Sequence, residues 1–157
     1  MVTLSKEELK NLYSKDFPLW VELNLELLRD RQFDLVDWDN LLEEIEDMGQ
    51  RHLDACVSYL AVILEHLYKF DNFKGMLGDK AGESWKRSIR NSRLEIDLMF
   101  DLYPSLKAKL PLEMEKAWKI AVKNLKRWLN SNDLDYKNFE FPSVSPYSYQ
   151  EAMEREV

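Results

Sequence analysis

At 157 residues, with 45% hydrophobic and 12% aromatic side chains against 4 Gly and 5 Pro, the chain can bury a core without disulfide or metal staples and is not expected to be disordered except at its ends. The 29 acidic and 22 basic residues leave a net charge of −7, which disfavours a polyanionic partner unless the basic residues are segregated onto one face, so nucleic acid is not the expected partner. The one cysteine, Cys56, excludes an intramolecular disulfide, a zinc ribbon and a redox pair, and fits a reducing, cytoplasmic setting.

The first sixteen residues intersperse Lys and Glu and lack a signal-type apolar segment, and no run approaches the length of a membrane span. Ser5-Lys6-Glu7-Glu8 has capping-box form and predicts a short N-terminal helix within residues 1–15. A second helix is expected after Asp16, with Pro18 in its first turn, where a missing amide hydrogen costs nothing. Trp20, Leu23, Leu27 and Leu28 would share its apolar face, and Arg29 and Arg31 lie near the negative end of its dipole.

Asp37 or Asp39 should cap a third helix that carries Leu41, Leu42, Ile45 and Met48 as its buried stripe and stops at Gly49. At about 100° per residue, Glu43 and Asp47 point away from that stripe and Glu44 and Glu46 lie along its edges. A fourth helix, from Gln50 to about Asn72, is apolar over most of its circumference and is expected at the centre of a bundle. Its narrow polar strip is Arg51, Asp54, Ser58, Glu65 and Lys69.

Residues 71–83 hold three of the four glycines and read as an exposed loop. A fifth helix opening at Glu83 or Ser84 places Trp85, Ser88, Ile89, Ser92, Ile96, Met99 and Tyr103 on one face and ends before Pro104. Pro111 opens a sixth, with Met114, Trp118, Ala121, Leu125 and Trp128 as its buried stripe and Lys123, Lys126 and Arg127 late in it, as the helix dipole prefers. Residues 131–157, with Phe139, Phe141, Pro142, Pro146, Tyr147 and Tyr149, suggest an irregular strap packed on the bundle, then a short helix capped by Ser148 and Glu151. The fold class is therefore all-α: one helical domain over residues 1–157, a bundle of about five to six helices with a C-terminal strap.

Several strings carry a family resemblance: Asp16-Phe17, Trp20, Leu27-Leu28-Arg29, Phe33, Asn40-Leu41, Glu43-Glu44-Ile45-Glu46-Asp47-Met48-Gly49, His66-Leu67 and Lys69. Trp85, Ser88-Ile89, Arg93, Pro104-Ser105-Leu106, Ala117-Trp118 and Pro146-Tyr147 continue it in order. With these residues the chain resembles the bacterial family called domain of unknown function 29. The resemblance implies an all-helical bundle in a bacterial cytoplasm and brings no established activity. Ser145 stands where relatives often carry Cys before the Pro-Tyr pair, and the glycine-containing segment after Lys69 diverges from the pattern.

The densest group of chemically capable side chains is Glu43, Glu44, Asp47 and His66. A carboxylate and an imidazole converging from neighbouring antiparallel helices could bind a divalent cation or move a proton. The ligand count argues against a metal, because there is no Glu-x-x-His motif and His52 lies about four turns from His66. The architectural alternative pairs Glu44 or Asp47 with Arg51, Arg90 or Arg93 and leaves His66 neutral and hydrogen-bonded. Trp85, Ser88, Arg90 and Arg93 could form an anion pocket, although Lys86, Arg87, Arg90 and Arg93 also fit one solvated helix face.

Cys56 lies on an apolar helix side, and neither a nucleophile elbow nor a Gly-rich phosphate loop is present. Two functions follow from these residues. The preferred one is a non-enzymatic interaction or regulatory protein whose Glu43, Glu46 and Asp47 face docks a basic protein partner, with no cofactor and with self-association as an option. The alternative is a hydrolytic or nuclease-like enzyme built on Glu44, Asp47 and His66, with or without a divalent metal, and with Arg93 as anion stabiliser.

Overall fold

The computed structural model describes residues 4–157, so the first three positions of the expected N-terminal helical stretch lie outside the described residues. Every regular element among the described residues is helical. They divide into two compact units, residues 1–50 and 51–157, and the boundary falls inside one helix.

In the first unit, α1 (Lys6–Lys15) begins at Ser5, whose hydroxyl accepts from the Glu8 amide. Helix α2 (Phe17–Arg29) begins at Asp16, whose carboxylate accepts from the Leu19 amide, with Pro18 in the first turn as expected. Trp20 is 2% exposed and anchors the unit. Its indole N–H donates to the Asp37 carboxylate at 2.8 Å, and Asp37 also accepts from the Asn40 amide at 2.7 Å. Asn24, equally buried, donates to the Trp20 carbonyl and accepts from the Asp37 backbone N–H, so the turn entering α3 is tied to α2.

Helix α3 runs without interruption over Trp38–Phe73. Gly49 does not stop it. A glycine terminates a helix when the chain turns left-handed there, and no such turn occurs. The apolar periodicity instead continues through Leu53, Cys56, Val57 and Leu60, whose burial outweighs the roughly 1 kcal/mol that a helical glycine costs.

In the second unit, the α3 side chains Cys56, Leu60, Ile63, Leu64 and Leu67 pack with Ile89 and Ile96 of α4 (Asp79–Leu102) and with Trp118, Ala121 and Leu125 of α6 (Met114–Ser131). The loop before α4 is shorter than expected, and α4 begins at Asp79, ahead of Glu83. Gly78, at φ +86°, makes the turn that caps it, a conformation few other residues adopt. Pro104 follows the end of α4, and Pro111 opens a 3₁₀ turn that leads from the short α5 (Leu106–Lys109) into α6.

The strap is as expected. Tyr147 is buried, Phe139 and Phe141 pack on the core, and Ser148 and Glu151 form a reciprocal capping box at the start of α7 (Tyr149–Glu154). Ser145 has a structural use for its hydroxyl, which donates to the Tyr147 carbonyl at 2.7 Å and accepts from the Tyr147 N–H.

Candidate functional site

The residues expected to form an acid/base cluster belong to one helix. Glu44 and His66 are both carried by α3, not by two neighbouring antiparallel helices, which removes the arrangement the cluster was expected to rest on. Among the described residues no group of three or more His, Cys, Asp and Glu side chains is gathered as a metal ion needs.

Glu44 is half-buried and accepts the Tyr13 hydroxyl proton. That hydrogen bond, with the Glu44 charge behind it, pushes Tyr13 up to about 12. Glu43, Glu46 and Asp47 are exposed on the same two turns. The apolar stripe expected to be buried with them is open as well: Leu42, Ile45 and Met48 are 59%, 54% and 61% exposed. Together with Phe17, Val21, Leu25 and Leu28 of α2, the side chains of Leu41, Ile45 and Met48 line a groove of about 210 Å³.

Charge follows the same division. Residues 1–50 carry thirteen acids against five bases, whereas residues 51–157 carry sixteen acids against seventeen bases, so the net negative charge belongs wholly to the first unit.

His66 sits instead beside two charges of the helix's narrow polar strip. Glu65 and Lys69 are buried, at 8% and 5% exposure, and pair at 2.9 Å one helical turn apart. The Lys69 ammonium lies 4.6 Å from the centre of the Trp128 ring. The Nδ1 of His66 is 2.7 Å from the Val62 carbonyl and 3.4 Å from Glu65, so Nδ1 carries the hydrogen. Burial lowers the His66 pKa against the opposing pull of the Glu65 charge, and the ring is neutral near pH 7. The other histidine, His52, stacks on Tyr103 at 4.1 Å. A sequence signal for the pair did exist, Glu and Lys at i, i+4 on an otherwise apolar helix.

Three of the residues considered for an anion pocket, Trp85, Arg90 and Arg93, are held in other contacts. Trp85 is buried, edge-on to Trp128. Arg93 donates to the carbonyls of Ala152 and Glu151, and Arg90 to that of Val157, so both guanidinium groups hold the C-terminal segment. The same segment is fixed by Arg155, which forks onto the Asp71 carboxylate while the Tyr147 hydroxyl donates to it at 2.6 Å. Nothing local in the sequence pointed to that trio. Cys56 is fully buried, and burial pushes its thiol up, which leaves it a small core residue.

A second cleft, of about 400 Å³, lies between α6 and the strap and is lined by Lys119, Lys126, Lys137 and the rings of Trp118, Tyr136, Phe139 and Phe141. No helix among the described residues is long and apolar enough to cross a membrane. No curated protein and no solved structure matches the chain. Residues 12–157 match the family described as Domain of unknown function DUF29, and the chain belongs to that family.

Proposed function

We propose that this is a non-enzymatic interaction protein of the bacterial cytoplasm whose first unit docks a basic, amphipathic helix of a partner protein. The carrying observation is the coincidence of two properties on residues 1–50: the whole excess of negative charge, and an apolar groove with large side chains left in water. Exposed apolar surface of this kind marks interaction sites, and an apolar groove between helices suits the apolar stripe of a partner helix. The carboxylates attract Lys and Arg on that helix, accelerating encounter and selecting against acidic partners. The same charge opposes pairing of this unit with a second copy of itself.

The test uses two helical peptides of identical composition, rich in Leu, Lys and Arg, one amphipathic and one with its order permuted. The amphipathic peptide should bind at low salt, weaken as salt rises, and lose at least about tenfold in affinity with Ile45→Asp or Val21→Asp. Equal binding of the permuted peptide would reduce the interaction to charge alone and overturn the groove reading. A dimer seen by sedimentation and abolished by Met48→Asp would assign the groove to a second copy and overturn the heterologous partner.

A further inference from the structure

We propose that the cleft between α6 and the strap is a nucleotide site, which takes one planar base against its rings and one phosphate between its lysines. The net charge of the chain disfavours an anion only if charge is evenly spread, and it is not: residues 51–157 are slightly basic. The cleft is more selective still, since its lining has three lysines and no carboxylate. Its volume lies within the range of about 300–1,000 Å³ usual for small-molecule sites.

The rings distinguish this site from a merely basic surface. Trp118 forms the floor, with its indole N–H fixed by the Pro142 carbonyl at 2.9 Å, which also holds the strap wall in place. Tyr136, Phe139 and Phe141 are half-buried, so each is anchored yet partly open. The Lys126 ammonium is poised 5.3 Å from the centre of the Tyr136 ring, which joins a cation to a stacking surface in one place. An acidic peptide would use the lysines and leave the rings idle, and an apolar ligand would leave three ammonium groups without a counter-charge. A base with its phosphate uses both, by stacking and by charge-assisted hydrogen bonding.

The shared chemistry fits a free nucleotide or one nucleotide of a single strand. Calorimetry with the full chain should show AMP binding at least about tenfold more tightly than adenosine or inorganic phosphate. Lys126→Ala with Lys137→Ala should weaken AMP at least about tenfold, Tyr136→Ala should weaken AMP and leave phosphate unchanged, and Lys107→Ala with Lys109→Ala, away from the cleft, should change nothing. Because cleft variants can perturb the strap, AMP added to the unaltered protein should also shift the Trp118 indole N–H resonance. An oligoadenylate strand that binds more tightly than AMP would identify the source as a strand, and equal affinity would identify it as the free nucleotide. Either supports the site. No AMP binding at millimolar concentration, polyglutamate binding as well as AMP, or resonance shifts confined to other surfaces would overturn it.

Discussion

The carboxylate of Asp71, near the end of α3, receives both terminal nitrogens of Arg155, at 2.6 and 2.7 Å, from the far end of the chain. With the Tyr147 hydroxyl on the same carboxylate, this contact joins the last turns of the protein to its central helix. Arg155→Ala should cost about 1.5–3 kcal/mol, the range for hydrogen bonds to a charged group. Limited proteolysis should then cut within residues 141–157 before the rest of the unit. The Asp71 carboxyl is held below the usual carboxylate range, first by the Arg155 hydrogen bonds and then by Tyr147. Its folded pKa is below its unfolded one, so its contribution is full above the ordinary carboxylate range and is lost as pH falls through the depressed value. Asp71→Asn should therefore flatten the acid limb of a stability-against-pH curve.

Glu65 and Lys69 make a sharper case, because neither is open to solvent. Lys69→Met leaves a buried carboxylate without its cation and should cost about 3–5 kcal/mol. The double substitution Glu65→Leu with Lys69→Met removes both charges and should cost far less than the sum of the single changes, which urea denaturation of the four proteins of the cycle measures. Additive losses would mean that the two side chains are not paired.

The neutral His66 adds a separate pH dependence. Its folded pKa is lowered, chiefly by burial, so the unfolded chain binds the proton more readily. Stability from this group is complete above the unfolded value of about 6.5 and declines as pH falls from there towards the folded pKa. In His66→Gln that decline should disappear from thermal melts recorded between about pH 5 and 7.5. A melting profile that keeps the same slope would show that folding does not shift the imidazole pKa.

Local chemistry was readable from sequence wherever one or two neighbouring residues decide the outcome. Ser5 and Ser148 cap the helices they were expected to cap, the second helix begins after Asp16, and Pro104 follows the end of α4. Gly49 misled because a glycine is a stop only when the following chain departs, and that depends on the burial of Leu53 and Cys56 beyond it. Helical periodicity likewise assigns Leu42, Ile45 and Met48 to an apolar stripe but cannot say whether anything covers it. The narrow polar strip that holds Glu65 and Lys69 does not show from sequence whether water reaches it, because two charges at i, i+4 look alike on a surface and in a core. The Asp71–Arg155 contact spans 84 positions and leaves no periodic trace.

Gly49 and Gly78 should respond in opposite directions to the same substitution. At Gly49 the backbone is helical and an added Cβ meets nothing within 4 Å, so Gly49→Ala should stabilise by about 0.5–1 kcal/mol through the lower entropy of the unfolded chain. At Gly78 the space is equally open, but φ is +86°, and Gly78→Ala should destabilise by about 1 kcal/mol or more. Denaturant titrations of both variants compare them directly. If Gly49→Ala instead lowers stability, residues 45–53 do not form one uninterrupted helix.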